Sequence, residues 1–266
     1  LQLLAAALAA LTMCLPARAW NNGQKGNTTT TTKAECSNPP YGTHDWIADR
    51  ALGLLPDVER AWLVPHRAIY LIGTEAPDHR LIPMSCGVPH RGYDDRSQGH
   101  SVEWNGGATE MTNDRPARRA QEEYSKAVIA FEQGHLAHAA FFLGAMAHYI
   151  GDCAQYGHNY SEENNHGNYE AWAAALTASP TAPTFNGFVN PDALVARRPY
   201  TATRRVSRAA FVGQGSILPA QKMDVLFAKK PQEFINSAGA SLNLVVNELA
   251  DVLHTFFLNV VDQDDD

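Results

Sequence analysis

Basic residues are the first shortage in this chain: 21 Lys and Arg stand against 28 Asp and Glu, for a formal net charge of −7. No basic stripe runs along any segment, which argues against a protein that holds a nucleic-acid backbone by charge. Sustained two-residue alternation and internal repeats are also missing, which excludes a sandwich, a barrel or a solenoid. Four cysteines are too few for a disulfide scaffold. Leu1 to Leu15, an apolar run at the start, is too short for a membrane span.

With 266 residues, 45% of them hydrophobic, the chain can bury one sizeable core. It starts at Leu1 rather than Met, so its true start is expected to be missing. Residues 1–19 read as a partial secretory signal, closed by the processing site Pro16-Ala17-Arg18-Ala19 directly before Trp20. Met13 before Cys14 is too bulky for a lipoprotein box. Processing would remove one charge, Arg18, taking the net charge from −7 to −8. Residues 20–266 are expected to form one secreted domain with no transmembrane segment. Export permits a disulfide, and Cys36 with Cys86 is the natural pair because both lie in loop-like sequence. Cys153 reads as a buried free thiol.

The expected fold class is all-α, a single compact multi-helix domain with a metal cluster in a cleft. Asn21 to Pro40 is a polar arm with a threonine run at Thr28 to Thr32. A helix is expected from His44 to Leu55, N-capped by Thr43 and ended by Pro56. A second should run from Val58 to Ile72, interrupted at Pro65. Thr74 to Asn113 reads as a long loop region. Helices follow at Pro116 to Gln133, Leu136 to Gln155 and Asn168 to Thr177, with Leu136 to Gln155 the most apolar and central. Ser179 to Pro219 reads as irregular and proline-dotted. Pro231 to Val261 is a long amphipathic helix with Phe234, Leu242, Val245, Leu249, Leu253 and Phe256 as its core stripe. The terminal acidic residues read as a solvated tail.

The chemistry concentrates in one stretch. His148 and Asp152 are an i,i+4 pair, His166 and Glu170 are another, and His158 lies between them. Each pair puts both side chains on one helical face. Imidazole and carboxylate are what Zn²⁺ accepts when no thiolate is offered, and two such pairs so close suggest more than one ion. His148 and Asp152 also close an apolar run, Ala137 to Ile150, where unpaired polar groups are costly. His44, Asp78 and His100 are further candidates. His66, His79, His90, His135, His138 and His254 read as structural or surface histidines.

Four segments resemble the bacterial zinc-dependent phospholipase C family, which is related to the S1/P1-type nucleases. Trp20 matches its mature N-terminal tryptophan, and Thr43-His44-Asp45-Trp46-Ile47-Ala48-Asp49-Arg50-Ala51 its first helix. Phe141-Phe142-Leu143-Gly144 leading to His148-Tyr149-Ile150-Gly151-Asp152 and His158 is similar to its central helix, and His166-Gly167-Asn168-Tyr169-Glu170 to its final motif. The resemblance implies about three zinc ions. By it, Trp20 (through its α-amine and carbonyl) and His44 hold one; Asp78, His100 and His148 hold a second; and Asp152 bridges these two. His158, His166 and Glu170 hold the third. Asp78 would also be the catalytic residue that orients or deprotonates the attacking water. The loop after Asp78 diverges from the family, and Glu75 or His90 are alternative ligands there. His79 and Ser97 stand where the choline-binding members have aromatic residues, leaving Tyr93, Trp104 and Tyr156 as substitutes for a headgroup cage.

The resemblance thus implies a monomeric secreted phospholipase C acting on phospholipid at a membrane or micelle surface, without nucleic acid as partner. No separate C-terminal lipid-binding domain is expected, so membrane contact would fall to exposed apolar or aromatic loop residues. A single-strand nuclease on the same scaffold and a silent zinc-binding adhesion module are the alternatives.

Overall fold

In a computed structural model, residues 41–78, Gly87 and residues 99–260 are described. The N-terminal segment with Trp20, Cys36 and the threonine run, the loop with His79, Cys86, His90, Tyr93 and Ser97, and the acidic tail lie outside them. The described residues are mostly helical, as expected, around one core.

The centre of the fold is α5 (Leu136–Asp152), which is buried on nearly every side from Ala139 onward. A helix that is apolar all round has no solvent face to choose, so it becomes the one the others surround. On one side packs α4 (Arg115–Glu132), on another α3 (Arg67–Glu75). Proline in its first turn opens α4, where the missing N–H costs nothing. It ends at Gly134, whose φ of +74° lets the chain reverse into α5.

Before α3, the chain forms α1 (Thr43–Leu54), the short α2 (Asp57–Arg60) and a 3-10 turn, Val64–His66. The break expected at Pro65 is therefore present. The N-cap of α1 is Gly42 and not Thr43: Asp45 Oδ2 reaches back to accept from the Gly42 N–H at 2.8 Å. Thr43 is occupied elsewhere, its hydroxyl 2.9 Å from that of Thr177.

The region expected to be one long loop has more structure than its composition suggested. A 3-10 turn, Ala76–Asp78, continues α3, and β1 (Glu103–Trp104) pairs antiparallel with β2 (Met111–Asn113). After α6 (His166–Leu176) come α7 (Pro183–Asn186), α8 (Pro199–Val212) and α9 (Ala220–Leu226). The expectation of an irregular stretch from Ser179 to Pro219 fails at α8. Its buried face is made of small residues, Ala202, Thr203, Val206, Ser207, Ala209 and Ala210, without the large apolar side chains that mark a core helix in a sequence.

The long α10 (Gln232–Val260) closes the domain, with Phe234, Leu242, Val245, Leu249, Leu253 and Phe256 all buried. Its other face holds an extended segment by side chains one turn apart. Asn243 Oδ1, Asn247 Oδ1, Asp251 Oδ1 and Thr255 Oγ1 accept from the N–H groups of Asn190, Asp192, Val195 and Arg197 at 2.7, 3.1, 2.9 and 2.6 Å. A segment that pairs with no strand among the described residues thus has donors satisfied by a helix. Among the described residues, no helix is long and apolar enough to cross a membrane.

Candidate metal centre

The C-terminal end of α5 carries His148 and Asp152 one turn apart, both fully buried. Three other parts of the chain converge on them. Packed against α5, α1 brings His44 in its first turn. The 3-10 turn after α3 brings Asp78. His100 arrives on a segment held by the Val102 N–H, which donates to the His158 carbonyl at 2.8 Å. Beyond α5, a 3-10 turn, Tyr156–His158, presents His158, and the first turns of α6 present His166 and Glu170.

Asp152 is the hub. Its Oδ1 lies 3.2 Å from His44 Nε2 and 3.6 Å from His158 Nε2, and its Oδ2 lies 2.6 Å from His100 Nδ1 and 3.1 Å from His148 Nε2. Asp78 Oδ1 is 3.7 Å from His100 Nε2 and 3.9 Å from His148 Nε2. Glu170 Oε1 is 2.8 Å from His166 Nε2 and 3.6 Å from His158 Nε2. Three groups result with ligand atoms close enough to share an ion: His44, His148 and Asp152; Asp78, His100 and His148; His158, His166 and Glu170. Of the nine residues expected in the site, eight are brought together, and Trp20 lies outside the described residues. Glu75 is buried but belongs to none of these groups, while Asp78 does.

Neighbouring groups aim the rings. His148 Nδ1 lies 2.6 Å from the Thr74 carbonyl, so it donates there as N–H and turns Nε2 toward Asp152 and Asp78. The Thr74 hydroxyl in turn donates to Asp45 Oδ1 at 3.0 Å. Glu163 lies beside His166, with Oε1 3.2 Å from Nδ1 and Oε2 accepting from the backbone N–H at 2.6 Å. Gln155 spans the third group: its Nε2 donates to Glu170 Oε1 at 3.3 Å, and its carbonyl oxygen accepts from the Gly157 N–H. None of these supporting residues was singled out in the sequence, because each acts across a turn or between helices.

Burial pushes the His44 imidazole down to about 4, helped by His148 beside it, so it is neutral at pH 7. Burial alone would raise the Asp152 carboxyl; the surrounding His148, His158 and His100 outweigh it and hold Asp152 well below the usual range. Burial opposes charge on His166, but the carboxylates of Glu163 and Glu170 prevail and raise it to about 10.

Both ring nitrogens of His44, Asp152 Oδ1 and His158 Nε2 are buried without a hydrogen-bond partner among the described residues. His44 Nε2 and Asp152 Oδ1 approach each other, but not in hydrogen-bonding geometry. Several unsatisfied polar atoms facing one another in a core would be very costly unless a cation compensates them. A histidine and carboxylate donor set without thiolate fits zinc.

The remaining candidates are placed elsewhere. Trp104 and Tyr156 are not available as a headgroup cage: both are buried, with the Trp104 indole donating to Ser207 Oγ at 2.8 Å and the Tyr156 hydroxyl to Asp224 Oδ1 at 3.2 Å. His254 pairs with Glu59 at 2.8 Å and His138 Nε2 lies 3.1 Å from the Gly87 carbonyl, in line with structural roles. Cys153 is a buried free thiol, as expected.

A family model described as zinc dependent phospholipase C matches residues 43–203. No curated protein sequence matches the chain. Among solved structures, the alpha-toxin of Clostridium perfringens from avian strain SWCP aligns with a TM-score of 0.53 at 15% identity, over 84% of this chain and 65% of that one. The alpha toxin from Clostridium absonum aligns with a TM-score of 0.54 at 14% identity, over 88% of this chain and 66% of that one. At such identities the likeness is one of fold, and the chain spans just under two thirds of each toxin's length.

Proposed function

Because the chain belongs to the zinc-dependent phospholipase C family, we propose that it is a secreted zinc metallo-phosphodiesterase that hydrolyses glycerophospholipids to diacylglycerol and a phosphorylated headgroup. The observation that carries this reading is the sharing of His148 between two groups that could each hold an ion, with Asp152 in contact with histidines of all three. Neighbouring cations are what an in-line displacement at phosphorus needs to neutralise its developing charge. Zinc, when bound, supplies Lewis acidity toward the phosphoryl oxygens and makes a water more acidic at neutral pH.

The protein's own part is to hold that arrangement rigid and dry. Asp152, buried between four imidazoles, would be shared by the ions of the first two groups; His44 would complete the first, together with the α-amine and carbonyl of Trp20. His100, His148 and Asp78 would hold the second ion, and His158, His166 and Glu170 the third. Asp78 is the most exposed carboxylate of the set, its side chain 17% accessible. That position suits it to orient an attacking water and take its proton. With Trp104 and Tyr156 buried, headgroup selection does not rest on them.

Parallel assays of the purified mature protein on mixed phospholipid vesicles, a soluble phosphocholine ester and single-stranded DNA test the proposal. Diacylglycerol release that chelation abolishes is the expected result. Cleavage of DNA without diacylglycerol would make the protein a nuclease, and inertness on all three would leave a binding module.

A further inference from the structure

Asp224, in α9, lies beyond the stretch that the family model matches and is not among the candidate ligands. Its carboxylate nevertheless gathers the two segments that carry the third group. Oδ1 accepts from the Tyr156 hydroxyl at 3.2 Å, from the backbone N–H of Asn164 and of Asn165 at 3.1 Å each, and from Asn165 Nδ2 at 3.0 Å. Oδ2 accepts from Asn164 Nδ2, and the Asp224 carbonyl from Asn165 Nδ2, both at 3.3 Å.

Each partner adjoins a ligand. Tyr156 opens the turn that ends at His158, and Asn164 and Asn165 directly precede His166. The same loop holds Glu163, which contacts both the backbone and the ring of His166. Burial would raise the Asp224 carboxyl, but Asn165, Asn164 and Tyr156 together hold it below the usual range, so it accepts these bonds as an anion. Hydrogen bonds to an ionised acceptor are the stronger kind.

We propose that Asp224 is a positioning residue of the metal centre, fixing His158 against the His166–Glu170 pair by tying together the turn and the loop that carry them. The inference rests on the zinc reading given above. A site assembled from two separate segments loses affinity when they drift, because binding must then supply the ordering. Supporting residues of this kind typically change metal affinity by about 10–100-fold.

The test is calorimetric titration of the chelator-stripped full chain with Zn²⁺, with Co²⁺ absorption as a second readout of ligand geometry. Asp224→Asn should weaken one ion by about 10–100-fold, leave the others unchanged and alter the Co²⁺ spectrum. Tyr156→Phe, which deletes a single bond to Asp224, should shift the same ion less. Asp251→Asn, at an anchoring carboxylate that bonds to Val195 and Arg197 and belongs to none of the three groups, should lower stability without moving any zinc affinity. Wild-type isotherms for Asp224→Asn, or a loss matched by Asp251→Asn, would overturn the proposal. If Asp224→Asn fails to fold, an unchanged isotherm for Tyr156→Phe overturns it. His166→Ala separates the two levels. Loss of an ion there with none in Asp224→Asn removes only the positioning role, whereas no loss in His166→Ala removes the zinc reading as well.

Discussion

Gly73 of α3 and Gly144 of α5 meet face to face, and their helices cross in backbone contact. A Cβ on Gly144 would lie 2.0 Å from the Tyr70 carbonyl oxygen, and one on Gly73 would lie 2.2 Å from that of Phe141. This close approach puts Thr74, in the last turn of α3, and Asp78, in the 3-10 turn that follows, beside His148, one turn further along α5. Gly144→Ala should therefore force the helices apart, costing about 1–3 kcal/mol or more. Urea unfolding would show the loss. Zinc content should fall with it, since Asp78 and the Thr74 carbonyl would withdraw from His148. Wild-type stability would mean that the helices are not in contact there.

Asp152→Asn should reduce turnover by about 100-fold or more, because an amide cannot supply negative charge on both sides of the hub. His138→Ala is the comparison: that half-buried side chain lies against the Gly87 carbonyl, outside the three groups. It should keep wild-type turnover and metal content. Similar losses in both variants, measured by diacylglycerol release, would dissolve the distinction between hub and surface.

Removing metal should destabilise the protein as well as silence it. The buried cluster would be left with imidazole and carboxylate atoms that have no hydrogen-bond partner among the described residues. Added back at about 1,000 times its dissociation constant, one ion should restore about 4 kcal/mol. Thermal unfolding followed against free Zn²⁺ should show a midpoint that climbs with concentration; a midpoint indifferent to zinc would refute it.

Asn247 joins the extended segment to α10 through both the Asp192 N–H and the Asn190 carbonyl, at 3.1 Å each. Asn247→Leu should cost about 1 kcal/mol, seen in urea unfolding. The segment supplies no residue to the three groups, so zinc content should stay at the wild-type value.

Much of this architecture was legible, and what was not has a physical cause. The apolar run of α5 and the stripe from Phe234 to Phe256 announced themselves, because large side chains at helical spacing have few other uses. Of the eight described ligand candidates, four were legible as helical pairs, His148 with Asp152 and His166 with Glu170; His44, Asp78, His100 and His158 come from separate elements, and no local spacing records their convergence. Small buried residues concealed α8, and Thr43 looked like a cap until Asp45 was found to reach Gly42. Asp224 was invisible for a different reason: its bonds to Asn164, Asn165 and Tyr156 span about sixty residues of sequence, and no local pattern records them.

The last expectation concerns Trp20, outside the described residues but directly after the processing site expected from the sequence. His44 has no hydrogen-bond partner on either ring nitrogen among the described residues, and its group counts only two further ligands, His148 and Asp152. The free α-amine and carbonyl of Trp20 would complete it. An uncharged amine can donate its lone pair to zinc, whereas the same nitrogen in a peptide bond is delocalised and a poor ligand. Cleavage after Ala19 would then switch the site on. A protein with one extra residue before Trp20 should bind about one ion fewer and hydrolyse phospholipid far more slowly, with helical content unchanged. The matched preparation carries a tag cleaved to expose Trp20. Elemental analysis and activity measured side by side decide it, and equal values in the two would leave His44 with some other partner.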